Sequence, residues 1–182
     1  MTLGYIKRTV DELVDRFHTT DPFELCDDLG CVVNRYPLGL YPGARKGFFM
    51  EVEGVSVITV NCDLQEELQK VVVAHELGHA VLHADFMEAG GFHDFALYDE
   101  SSHLEYEANM FASELLLSDQ TVLDTLHENA SFFSAAAQLK VPAQMLDFKL
   151  HAMIQRGYKL ELPLMATGDF LKDVQNQGEV LS

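Results

Sequence analysis

The sequence predicts an α+β fold. A small three-stranded sheet packs on one long buried helix, and further helices follow it. Three observations carry this prediction. Residues 4–18 repeat apolar side chains at helical spacing. Residues 31–60 are rich in β-branched and aromatic residues, with a turn signal at Glu53-Gly54. Residues 63–83 begin polar and then become apolar on nearly every face, the pattern of a helix enclosed by the rest of its protein. The chain has 182 residues, 48% of them hydrophobic, which is enough to bury one core without staples.

The elements follow in order. The first helix, 4–18, turns Tyr5, Ile6, Val10, Leu13, Val14 and Phe17 to one side. Asp21 is an N-cap with Pro22 at the first helical position, and Gly30 closes this second helix after Leu29. Cys31 to Tyr36 reads as a strand, followed by a Pro/Gly-rich link from Pro37 to Gly43. Residues 47–52 and 55–60 form a hairpin about Glu53-Gly54. The buried helix occupies 63–83, and 84–101 reads as a loop with Gly90-Gly91. Helical sequence returns at 102–117 and again over 119–157, broken at 117–119, 129–131 and 141–142. Residues 1–158 thus read as a single domain and 159–182 as a tail, in which Lys159–Leu164 alternates like a strand.

Twelve basic residues against 29 acidic ones give a net charge of −17. That argues against direct nucleic-acid binding, which needs a basic footprint. No stretch approaches the ~18 apolar residues of a membrane span, and the first residues lack a signal-peptide core. Cys26, Cys31 and Cys62 form no paired framework, as expected of reduced thiols in the cytoplasm.

The chemistry lies in the buried helix. His75-Glu76-Leu77-Gly78-His79 is a His-Glu-x-x-His motif. Residues i and i+4 share a helix face, so both imidazoles reach one metal ion. Glu76 stands about 100° around the helix and is placed as a general base beside the metal rather than as its ligand. Burying such groups is costly unless a metal or hydrogen bonds satisfy them.

A catalytic zinc needs a third protein ligand. His83 continues the i+4 series, but it lies ~12 Å along the axis from His75. It belongs at the helix end instead, favoured by the helix dipole or paired with an acid. Asp85 is a second candidate. A better source is the next helix, where Glu105, Ala108, Asn109 and Ala112 share a face. The alanines allow a close approach, Glu105 offers a carboxylate, and Asn109 can hydrogen-bond a ligand histidine. Two alternatives stand beside this reading. Glu105 also fits a capping box with Ser102. Glu107 is a rival ligand, about 200° away around the helix.

At His75–His83 and at Glu105-Tyr-Glu-Ala-Asn-Met-Phe-Ala-Ser-Glu-Leu-Leu-Leu117 the chain resembles the ImmA/IrrE family of metallopeptidases. The family pattern Glu-x-x-Ala-Asn-x-Phe-Ala supports Glu105 as third ligand. The resemblance implies a zincin-like metallopeptidase fold. It also implies a cytoplasmic zinc endopeptidase that cleaves a helix-turn-helix repressor or a similar regulatory protein. The family commonly ends its second motif with Pro; here Ser118 stands there, as an N-cap.

The expected mechanism has His75, His79 and Glu105 holding Zn²⁺, with Glu76 as proton acceptor for the attacking water. His93, Tyr98 and His103 are candidates for a further oxyanion donor. The alternative function is a catalytically silent metal-binding adaptor that binds a repressor without cutting it. Residues 135–150 also read as helix, turn, helix, and Lys140, Lys149 and Arg156 outnumber Asp147 there. A DNA-reading role competes at that segment with packing on the catalytic core, and packing is the expectation.

Overall fold

Thr2 and Asp21 start the first two helices by the same device. In the computed structural model of the protein, which describes residues 1–83, 103–128 and 131–160, the Thr2 side chain accepts the Tyr5 N–H and opens α1 (Leu3–Phe17). Asp21 accepts the Phe23 N–H at 2.9 Å and opens α2 (Pro22–Leu29). Gly30 ends α2 at φ 74°, the left-handed region that suits glycine. Ile6 and Val10 anchor α1 in the core, with Leu13, Val14 and Phe17 packed against it. Tyr5, expected on the same face, is exposed instead, at the rim of the stripe.

The strands are β1 (Val32–Tyr36), β2 (Gly47–Val52) and β3 (Val55–Asn61), in the order β1-β3-β2. β2 and β3 form the expected hairpin, with Val52 opposite Val55. Glu53 and Gly54 both have positive φ, 52° and 78°, the signature of a mirror-image turn that matches strand twist. β1 runs parallel to β3, from Val32 opposite Val57 to Tyr36 opposite Asn61. The link between β1 and β2 is tied down by buried Asn61. Its side chain accepts the Leu38 N–H at 3.0 Å and donates to the Gly39 carbonyl at 2.7 Å.

The buried helix, α3 (Glu66–Leu82), starts three residues later than expected. Asn61 and Asp63 first make a turn, in which Asn61 Oδ1 accepts the Asp63 N–H at 3.0 Å. From Val71 to His79 every residue of α3 is buried. β2 and β3 cover one side of it and α4 (His103–Leu116) another.

Ser118 and Ser131 cap α5 (Asp119–Glu128) and α6 (Phe132–Gln138), each accepting the N–H three residues on at 3.1 Å. A turn through Lys140 and Val141 leads into α7 (Ala143–Gln155), which packs on α4. The basic residues of this segment are paired with acids of the same protein. Lys149 is 1% exposed, with its Nζ 2.7 Å from Glu114 and 2.8 Å from Asp119. Arg156 joins the same two carboxylates, and Lys140 pairs with Glu67 of α3. The helical pair therefore spends its positive charge on its own fold.

Lys159 and Leu160 show no strand. The rest of that expected strand, the loop at 84–101, Asp85, His93 and Tyr98 lie outside the described residues.

A candidate metal centre

The i, i+4 spacing on α3 puts the imidazoles of His75 and His79 side by side, with their Nε2 atoms 3.2 Å apart. Glu105, in the first turn of α4, reaches across to both. One carboxylate oxygen is 3.2 Å from His75 Nε2 and the other 3.2 Å from His79 Nε2. Ligands of a tetrahedral zinc with bonds of ~2.0–2.1 Å stand ~3.3–3.4 Å from one another. The three side chains thus already have the spacing and the chemistry that such an ion requires. Both histidines are buried, while the Glu105 side chain is 22% exposed, so the group opens to solvent on the Glu105 side.

The Glu105 carboxylate lies against both histidines; Ser102, its partner in the capping-box alternative, is outside the described residues. Burial works to raise its pKa, but hydrogen bonds and charge from His75 and His79 hold it well below the usual carboxylate range. Burial pulls His75 down, yet Glu105, Glu76 and the neighbouring Asn109 leave its pKa raised. Asn109, one turn after Glu105 and 3% exposed, therefore stands where the spacing placed it, beside a candidate ligand histidine.

Glu76 is turned toward the sheet. The Phe49 backbone N–H of β2 hydrogen-bonds its carboxylate, and both candidate ligand histidines act on its charge. Burial dominates and pushes its pKa up. A carboxylate held this way is primed to take a proton, because its charged form is costly there.

Glu107 is not at the candidate centre. It leaves α4 on another side and meets His83, with Oε2 3.0 Å from His83 Nε2. His83 is therefore paired with an acid, as one of its two expectations had it. Burial, aided by the charge of His79, pushes its pKa down to about 4. His103, expected as a possible oxyanion donor, lies 2.8 Å from the other oxygen of Glu107. The amino group of Met1 lies against the same oxygen.

Two glycines that set this geometry were not singled out from the sequence. A Cβ on Gly78 would stand 3.2 Å from the Ala108 Cα, the Ala108 carbonyl and the Phe111 Cβ, so glycine is what lets α3 and α4 touch here. A Cβ on Gly47 would collide with Val72 Cγ1 and stand 3.7 Å from Glu76 Oε1, so β2 comes close to α3 just beside Glu76. Gly78 lies inside the motif on a helix apolar all round, a signal of close packing. Gly47 carries no comparable signal.

Residues 26–151 match the family Peptidase_M78, described as the IrrE N-terminal-like domain. The chain is similar to Metallopeptidase ImmA of Bacillus subtilis (strain 168), at 30% identity over 151 residues, covering 80% of this chain and 83% of that one. It is similar to the same degree to an uncharacterized immunity region protein 2 of Bacillus phage phi105. That match is 30% identical over 148 residues, covering 79% of this chain and 88% of the phage protein.

Proposed function

The chain belongs to the Peptidase_M78 family, that of the IrrE N-terminal-like domain, and on that premise we propose that it is a zinc-dependent endopeptidase acting on a helix-turn-helix repressor. The observation that carries the reading is the convergence of His75, His79 and Glu105 with Glu76 beside them.

In this reading His75, His79 and Glu105 would hold the zinc, which would supply a Lewis acid and make water acidic enough to be deprotonated near neutral pH. Glu76 accepts the proton of the attacking water at its carboxylate and passes it to the leaving amine. The Phe49 N–H holds that carboxylate in place between the two roles. Asn109 stands beside His75, where its side-chain oxygen is placed to accept from the ring nitrogen that the zinc does not use. The outer edge of β2 pairs with no other strand among the described residues. A substrate backbone adding to it would pass close to Glu76.

The repressor as substrate is supported by the family resemblance and by the immunity-region name of the phage relative. The net charge of −17 suits a basic, DNA-binding partner. No helix among the described residues is long and apolar enough to cross a membrane. The three cysteines are free, in keeping with the cytoplasm.

Elemental mass spectrometry of the purified protein and of Glu105→Ala tests the centre. About one zinc per chain, lost in the variant, is the expected result. No zinc in the wild type after metal is supplied overturns it. Glu76→Gln should then keep the zinc and lose cleavage of a repressor panel. A wild type that binds a repressor and leaves it whole would make the protein a silent adaptor.

A further inference from the structure

We propose that His83 and Glu107 form a positioning relay that sets the tautomer and the ring orientation of His79 toward the metal. The inference rests on the metal centre proposed above. The geometry is a single line of side chains. His79 Nδ1, the nitrogen turned away from Glu105, is 3.1 Å from His83 Nδ1. His83 Nε2 is 3.0 Å from Glu107 Oε2. His83 is 0% and Glu107 2% exposed, so water does not compete for either contact.

Hydrogen-bond arithmetic orders this line. An ionised carboxylate only accepts, so His83 Nε2 must carry a proton. A neutral imidazole carries one proton, which leaves His83 Nδ1 as an acceptor. His79 Nδ1 must then donate to it. That puts a proton on His79 Nδ1 and makes Nε2, the nitrogen facing His75 and Glu105, the one that offers its lone pair when zinc binds. It is the tautomer that a metal ligand needs. Glu107 is itself held, since its other oxygen takes His103 Nε2 at 2.8 Å.

One helix therefore serves both nitrogens of His79. Glu105 faces Nε2, and Glu107, about 200° further around α4, reaches Nδ1 through His83. This gives the third histidine of the His75, His79, His83 series a role although it lies too far along the axis to share the ion. His83 and Glu107 touch no reacting atom and act only through His79.

The test measures zinc affinity by chelator competition and the ring protons of His79 and His83 by ¹⁵N NMR of the zinc-loaded protein. In the wild type the His79 Nδ1 and the His83 Nε2 should both show the protonated, pyrrole-type signal. His83→Phe keeps the ring volume and removes the acceptor. It should lose zinc affinity ~10–100-fold while still taking up about one zinc at saturation, and the His79 Nδ1–H proton should shift upfield for want of its acceptor. Glu107→Gln can donate or accept, so it should mix the tautomers of His83 with a smaller loss of affinity. A purely structural role would lower thermal stability and leave the His79 Nδ1–H signal and the affinity unchanged, which overturns the relay. A pyridine-type His79 Nδ1 in the wild type overturns it without any variant. Wild-type protein that binds zinc as tightly as His83→Phe removes the relay alone. Wild-type protein that binds no zinc removes the metal centre with it.

Discussion

Replacing Gly78 by alanine sets two opposing effects against each other at the helix contact that spaces the candidate ligands. Alanine favours a helix interior over glycine by about 1 kcal/mol. Against this, the new Cβ would meet three atoms at 3.2 Å: the Ala108 Cα, the Ala108 carbonyl oxygen and the Phe111 Cβ. Carbon atoms prefer about 3.5–4.0 Å. Two of the three neighbours are backbone, so no rotamer change relieves them and α4 as a whole must move by ~0.3–0.5 Å. Overpacking of this kind costs about 1–3 kcal/mol. The net effect on the metal-free protein is a loss of about 0–2 kcal/mol after the helix gain. Metal binding should suffer more clearly. Ligand positions tolerate only about ±0.2 Å, and Glu105 lies one turn before Ala108 on the displaced helix. A loss of zinc affinity of about tenfold, or ~1.4 kcal/mol, is expected. Chelator competition reads the affinity, and urea unfolding of the metal-free protein reads the stability. A variant that is more stable and binds zinc as tightly as wild type would refute the argument that the Gly78 contact sets the ligand spacing.

Two further predictions concern the ion network on the other side of α4. Lys149→Met removes the cation between Glu114 and Asp119, and Arg156 keeps only part of the compensation. Urea unfolding should show a loss of about 3 kcal/mol, as for breaking a buried pair; a neutral result would mean the network does not hold the helices. The same network predicts an acid limb. Burial would raise the Asp119 pKa, but hydrogen bonds and charge from Lys149 and Arg156 leave it below its ordinary value of 3.8. A lowered folded-state pKa gives stability that is complete above the unfolded value and lost as pH falls through the folded one. Stability should therefore drop below about pH 4. Asp119→Asn should flatten that drop, and an unchanged acid limb would exclude Asp119 as its source.

The candidate centre was legible because its logic is local. His75 and His79 are one turn apart, and Glu105 and Asn109 are one turn apart on the facing helix. Helix periodicity alone orients each pair. The caps at Asp21, Ser118 and the Glu53-Gly54 turn are local in the same way. What escaped is tertiary. Glu107 and Glu105 are both acids two residues apart, and only the packing of α4 on α3 decides which meets His79 and which meets His83. His103 was weighed for the site and instead braces Glu107, a contact that no spacing rule contains. In the sequence Lys149 stands only as one of the basic residues of the helical pair. Its neighbours Met145, Leu146, Phe148 and Leu150 are buried, and a lysine within so apolar a helix was a sign that its charge has a buried partner. Gly47 and Gly78 matter through what they touch, which glycine itself never announces.

The position of Glu114 has a consequence for how the protein opens. α4 carries Glu105 in its first turn and Glu114 near its end, the latter bound to Lys149 and Arg156 of the C-terminal helix and its cap. Local unfolding proceeds in contiguous cooperative units. α3, α4 and α7 are joined through a closely spaced triad at one end and a buried ion cluster at the other, the connections expected of one such unit. Zinc held by α3 and α4 would then raise the opening free energy of a helix that does not carry its ligands, and amide exchange in α7 should report occupancy of the ion through α4; exchange in α7 that ignores added zinc would make α7 a unit of its own.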